Sequence, residues 1–389
     1  MKAVFAALLA AVWMGLWTET GFAAPSVDSW DENGAREELS QYDFSEIDRY
    51  LAESFPAQRG NLSFAGLTAK MAEGKWADAA GTLGRAVGDE LFGELKAGIS
   101  LMGQILILGI VGAFFSNFSS IFSGSQIAES GFYVTYLLVF TFLAASFLTG
   151  ISVAAGLMEA VLEFMKALAP AYFLAVAVSG SSMTSMALYP FTLGVIAVLE
   201  WVFPAILLPL VRVDVLLVMA GHMMKENVFS RMKDLLETGI CWAMRTIFGV
   251  VLGFQLIQGM VLPFADSMKT GTLVRAVGLI PGLGNGAATV SQLLLGSGVL
   301  IKNAMGAAAM VLVFALAAVP VLKLFILTAL YQGTAAFMQP VCDRRLVSCI
   351  YEVGGSHRLL LKMSLTAVLL FVLSLAVVSM GSNTAYYSG

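Results

Sequence analysis

Charge is scarce in this sequence. Of 389 residues only 12% are Asp, Glu, Lys or Arg, against 58% hydrophobic, and the mean hydropathy is +0.83. That composition is too apolar for a soluble domain of this length, which sets soluble enzyme classes aside. Cysteine is scarcer still. Cys241, Cys342 and Cys349 are odd in number, so no disulfide framework is implied. Cys342 and Cys349 stand seven apart with no histidine at zinc spacing, so no metal site is expected. The two histidines, His222 and His357, fall in what read as separate polar loops, with no catalytic constellation beside them. Gly74-Lys75 is followed by Trp76 instead of Ser or Thr, which excludes a phosphate-binding P-loop there, and no His-Glu-x-x-His occurs. Gly282-Leu283-Gly284-Asn285-Gly286 lacks the preceding strand and the third-glycine spacing of a dinucleotide loop. No catalytic residue, cofactor or metal ligand is therefore expected.

What the chain has in abundance is long apolar runs: residues 99–122, 132–157, 240–264, 304–330 and 359–380. About 20 residues at about 1.5 Å rise cross a hydrocarbon core of about 30 Å, and only a helix or a closed barrel satisfies its backbone there. The runs are continuous, not alternating, so helices are expected. Net charge conceals a division. Residues 25–96 hold 14 acids against 7 bases, whereas residues 97–389 hold 11 acids against 14 bases.

The N-terminus carries Lys2, an apolar run over residues 3–17, and then Gly21-Phe22-Ala23-Ala24-Pro25. This pattern predicts a signal peptide over residues 1–23, cleaved after Ala23; the alternative is an uncleaved anchor helix. Either way residues 24–96 form a polar, acidic, extracytoplasmic segment. Phe44, Ile47, Leu51 and Phe55 recur at 3, 4 and 4, with Ser45 three residues before Asp48 as a capping-box-like start and Pro56 beyond the end. One amphipathic helix follows from that spacing. Leu83, Val87, Leu91 and Leu95 predict a second, leading into the first span.

Within residues 97–389, the polytopic domain, six to eight transmembrane helices are expected. Gly278, Gly282 and Gly286 fall every four residues around Pro281, and Gly296, Gly298 and Gly306 follow, so residues 279–304 read as a broken or re-entrant helix. That element either lines a pathway or packs tightly; Lys302 and Asn303 lie at its end. Gly249 and Gly253 form a GxxxG suited to helix packing. Glu200 lies deep in an apolar run and should face protein or water, with Arg245 and Lys323 as candidate partners. Pro190, Pro204 and Pro209 predict a kink in its helix. Glu159, Glu163 and Lys166 share one helical face and read as interfacial. Ser179-Gly180-Ser181-Ser182-Met183-Thr184-Ser185 reads as a solvated turn, with a pathway lining as the alternative.

Lysine and arginine set the topology. Residues 225–238 and 343–362 carry the basic clusters and are expected to be cytoplasmic, with residues 381–389 outside.

The block Gly278-Leu279-Ile280-Pro281-Gly282-Leu283-Gly284 is followed by Gly298-Val299-Leu300-Ile301-Lys302-Asn303-Ala304, by Pro320-Val321-Leu322-Lys323, and by Gln339-Pro340-Val341-Cys342-Asp343-Arg344-Arg345. In joint order and spacing these blocks, behind a signal peptide and a short polar segment, resemble the stage III sporulation protein AE family of endospore-forming bacteria. Cys342 stands where that family is expected to carry a small or polar residue. The resemblance implies a subunit of the stage III sporulation A set, made in the mother cell and acting in the membrane around the engulfed forespore. Its implied partners are the other stage III sporulation A proteins, including a secretion-type ATPase and ring-forming members, and indirectly stage II sporulation protein Q. It implies a non-enzymatic gate or platform in a secretion-like channel complex. The alternative reading of the residues is a stand-alone secondary transporter that uses Glu200 and the broken helix.

Overall fold

The computed structural model describes residues 42–54, 63–75, 125–223, 229–278 and 284–381, with scattered positions between 39 and 111. Among these residues every regular element is helical. Two short helices, α1 (Ser45–Ser54) and α2 (Phe64–Ala72), precede a bundle of long ones. The bundle comprises α3 (Ser125–Val178), α4 (Ser182–Val202), a π-helical turn (Phe203–Leu207), α5 (Leu208–Met223), α6 (Ser230–Gly278), α7 (Gly284–Met338) and α8 (Arg344–Gly381).

Among the described residues, five stretches are long and apolar enough to cross a membrane: Tyr136–Val178, Thr184–Met223, Ser230–Val261, Gly296–Met338 and Arg344–Met380. The expected runs 132–157, 240–264, 304–330 and 359–380 each overlap one of these five, and the expected span 99–122 is not among them. Residues 304–330 and the glycine-rich stretch before them form one helix from Gly284 onward, so the expected break does not occur among the described residues of that stretch. Residues 279–283, the signal peptide, most of the expected span 99–122 and the terminus 382–389 lie outside the described residues. The helix expected from Leu83 to Leu95 lies there too. A stretch of 43 residues, such as Tyr136–Val178, is about 65 Å long at about 1.5 Å per residue, roughly twice the hydrocarbon thickness.

α8 forms the axis. Its apolar window is 61% buried against 22–44% for the other four, because it packs against α3, α5, α6 and α7 together. Glycine makes the closest of these contacts. A Cβ on Gly150 of α3 would stand 2.9 Å from His357 Nε2, and one on Gly354 of α8 would stand 3.0 Å from the Tyr331 Cβ of α7. The expected loop 343–362 is thus the first half of a buried helix. It starts at Asp343, whose carboxylate accepts the Arg345 N–H at 2.8 Å while its carbonyl accepts the Val347 N–H.

The turn between α3 and α4 is closed by its own backbone. Gly180 takes φ of 90°, Ser181 N–H donates to Val176 O and Gly180 N–H to Ala177 O, the pairing of a Schellman motif. Ser179, Ser181, Thr184 and Ser185 are buried, so this is not the solvated turn expected from its polarity. Ser179 and Ser185 turn their hydroxyls onto the carbonyls of Val176 and Phe173. A Cβ on Gly298 of α7 would meet the Ser179 backbone at 3.1 Å, which explains a glycine there.

Proline acts where the sequence places it. Pro204 lies in the first turn of the π segment, which separates α4 from α5 in the expected kink region.

The N-terminal pair docks on the bundle through aromatic rings. Phe44 meets Phe64 edge to face at 5.2 Å, and Phe64 meets Phe164 of α3 at 6.4 Å. Ile47 and Leu51 are buried as the spacing predicts. The capping differs from the capping-box expectation. Asp43, not Asp48, accepts from Ser45, through the backbone N–H at 3.0 Å and Oγ at 2.6 Å. These bonds hold the Asp43 carboxyl below its ordinary range. Asp48 instead reaches α2, where Phe64 N–H donates to Oδ1 at 2.7 Å. A carboxylate from one helix thereby caps the next.

Gly150→Ala should lower the melting midpoint of the detergent-solubilised protein, at a cost of about 1–3 kcal/mol, because the buried His357 ring must move. Gly156→Ala, with open space around it, should not. Equal melting of the two variants would remove the close α3–α8 approach as an explanation for Gly150.

Candidate functional site

The residues singled out from sequence are not brought together. Glu200 pairs with Lys166 of α3 at 2.7 Å, in place of the expected Arg245 or Lys323. The α3–α4 hairpin causes this, since it returns α4 along α3 and lays the two charges side by side. Both side chains are about half exposed, so the pair lies on the outside of the bundle with Glu159 and Glu163. Arg245 is exposed and Lys323 half-buried on other helices. Lys302 is fully buried in α7, and Asn303 beside it holds a buried Oδ1 without a hydrogen-bond partner. Gly278 ends α6 and Gly286 lies in the first turn of α7. Pro281 and Gly282 lie outside the described residues.

A different set of polar groups converges inside the bundle. On α5 the buried stripe runs Leu208, Val211, Asp214, Val215, Val218, Met219 and His222, so Asp214 and His222 occupy positions that helical periodicity turns inward. Asp214 is 1% exposed, and Ser356 Oγ of α8 donates to its Oδ2 at 2.6 Å. One turn earlier on α8, Glu352 bridges two helices: its Oε1 lies 3.5 Å from His222 Nε2 and its Oε2 lies 3.1 Å from Lys233 Nζ of α6. His222 Nδ1 sits 2.8 Å from Val218 O. A carbonyl only accepts, so Nδ1 carries a proton and Nε2 is the atom offered to Glu352.

Polar groups continue along α8. Tyr136 of α3 donates to Met219 O of α5 and lies 3.5 Å from Cys349 Sγ. His357 is fully buried between Phe147 and Tyr331, with Nδ1 at 3.2 Å from Val353 O, and Tyr331 OH donates to Ser146. Farther on, Gln255 of α6 donates to Ser374 Oγ at 2.8 Å. The bonds of Tyr136, Tyr331 and Gln255 each join two helices in an apolar setting, where an unmade one is costly.

This seam was missed from sequence, and both histidines were misplaced in loops. Asp214 did carry a signal, being one acid inside an apolar run of the same kind that drew attention to Glu200. Glu352, Ser356 and His357 gave less signal, because residues 344–362 are polar enough to read as a loop. No group of three or more His, Cys, Asp or Glu among the described residues is placed to hold a metal ion.

The interior is tightly filled here. The cavity between α3, α4 and α8, lined by Met165, Tyr172, Thr192 and Ser374 among others, measures about 10 Å³, room for one water at most. A larger apolar groove of about 330 Å³ lies at the α7–α8 turn, lined by Leu106, Ile110, Phe337, Met338, Val341 and Cys342.

Comparison with known proteins gives a consistent match. A family model described as stage III sporulation protein AE matches residues 62–382. A curated relative, stage III sporulation protein AE of Bacillus subtilis (strain 168), is 22% identical over 300 residues, which is 77% of this chain and 75% of the relative. No solved structure matches.

Lys233→Ala should destabilise the detergent-solubilised protein by about 1–3 kcal/mol, because it leaves the partly buried Glu352 without its cation. Lys166→Ala removes only an exposed pair and should cost under about 1 kcal/mol. Thermal melts of the two variants test the contrast, and the reverse order would place the structurally important pair on the surface instead.

Proposed function

Because the chain belongs to the stage III sporulation protein AE family, we propose that it is a non-enzymatic, multi-pass membrane subunit of a secretion-like channel complex between mother cell and forespore, serving there as gate or platform. The observation that carries this reading is the extent of the family match, residues 62–382, which takes in every membrane-crossing helix described above. A sporulation role comes with the family name; the channel role is our reading of it.

Two features of the bundle favour a subunit over a stand-alone transporter. Its cavity between α3, α4 and α8 has room for one water at most, which is no binding site for a solute. Large apolar side chains meanwhile face outward along the helices, among them Leu148, Leu174, Trp201, Trp242 and Phe325. Such a surface suits lipid and neighbouring membrane subunits alike. On this reading the partners are the other stage III sporulation A proteins, with the secretion-type ATPase as the energy source and the ring-forming members as neighbours. Stage II sporulation protein Q is reached through them. The location is the mother-cell membrane around the engulfed forespore.

The test is photo-crosslinking from a reactive residue placed at Trp201 or Trp242 in sporulating cells. We expect adducts with other stage III sporulation A proteins, formed only while the forespore is engulfed. A complete lack of such adducts, together with solute uptake by proteoliposomes that hold this chain alone, would replace the subunit reading with the transporter.

A further inference from the structure

We propose that Asp214 is a proton-binding site inside the membrane domain, filled from the α5–α6 end of the bundle through Glu352, His222 and Ser356. This inference does not depend on the channel reading.

The geometry carries it. Asp214 is 1% exposed in the middle of an apolar helix, and its two oxygens are treated unequally. Oδ2 accepts from Ser356 at 2.6 Å, whereas Oδ1 is buried with no hydrogen-bond partner. An ionised carboxylate in such a place needs donors on both oxygens or a cation in contact. Lys233 forms its ion pair with Glu352 instead. A proton on the carboxyl removes the charge, which the single donor Ser356 cannot offset by itself.

The charged and titratable groups that bear on Asp214 can be named helix by helix. α6 presents Lys233 and Glu237, and α8 presents Glu352. α5 itself carries His222, two turns on, and the exposed Arg212. α3 contributes the phenol of Tyr136 and has no charged residue between Tyr133 and Met158, and the π turn has none.

The same groups form a route. Glu352 lies one turn before Ser356 on α8, so the two share a face of that helix. His222 and Glu352 face each other through Nε2 and Oε1 at 3.5 Å, and since Nδ1 is already protonated, one proton between the pair joins acceptor to acceptor. The pair is only partly buried at Glu352, 27% exposed, which is its opening to water. In the transfer, an N–H bond of the His222 imidazolium or an O–H bond of the Glu352 acid breaks. An O–H bond then forms on the Asp214 carboxylate, with the Ser356 hydroxyl accepting one proton and giving up its own. Charge moves with the proton and no electrons change hands.

The experiment is infrared difference spectroscopy of the full chain in liposomes, reading the carbonyl stretch of protonated carboxyl groups. We expect a band that Asp214→Asn removes and that Glu200→Gln, on the outer surface, leaves in place. Ser356→Ala keeps the carboxyl but deletes its donor, so it should displace the band instead of removing it; this reading holds even if Asp214→Asn fails to fold. Transfer to deuterated buffer should shift the band, and Glu352→Gln should slow that shift at least tenfold. If neither Asp214→Asn nor Ser356→Ala alters the band, Asp214 is ionised and the site does not exist. If the band responds to both but exchanges equally fast in Glu352→Gln, the route is wrong and the proposal falls with it.

Discussion

The bundle depends on one helix being able to touch four others at once. α8 does so because it is small at Gly354, where a neighbour comes close, and offers hydrogen-bonding side chains at Ser356 and Ser374, where neighbours have partners for them. Gly354 receives Tyr331, and the side chain of His357 fits the space left by Gly150. Ser356 meets Asp214, and Ser374 meets Gln255. Without a hydrophobic driving force between helices in lipid, association rests on such close packing and on interhelical hydrogen bonds. A bulkier or purely apolar α8 would bury as much area but would leave Asp214 and Gln255 facing groups that cannot answer them.

The contrast between the two acids in apolar runs shows how context decides a charge. Glu200 was the conspicuous one, yet it lies on the outer face beside Lys166. Asp214 sits in an equally apolar helix and turns inward, because it falls on the buried stripe with Val211, Val215 and Val218. About two residues of helical phase, half a turn, separate an outer position from an inner one. Apolar content alone does not carry that phase, since a helix that is apolar all round has little moment to reveal which side is in.

This limit governs what the sequence could tell. The membrane class, the helical fold and the family were legible, because they rest on run length and on blocks such as Gln339-Pro340-Val341-Cys342-Asp343. The helix at Ser45–Ser54 was legible too, since Phe44, Ile47 and Leu51 stand out against polar neighbours. Its cap was not, because the use of Asp48 depends on where a second helix 16 residues away comes to rest. Residues 343–362 misled for a related reason. Their polarity reads as a loop, but part of it is turned inward onto helices far away in sequence, as Ser356 is onto Asp214, 142 positions earlier. Glycines misled in the opposite direction: Gly296, Gly298 and Gly306 suggested a broken helix, and instead the helix runs unbroken through all three, with Gly298 and Gly306 set against Ser179 and Tyr172.

The turn between α3 and α4 also decides what a distant helix can carry at its contact. Gly298 lies against the backbone of Ser179, and that backbone owes its shape to the Schellman bonds. The seat for the first part of α7 is therefore made by the hairpin of α3 and α4. A side chain at position 298 and a turn of another shape at Gly180 are in this sense one and the same fault, since either would part α7 from its seat.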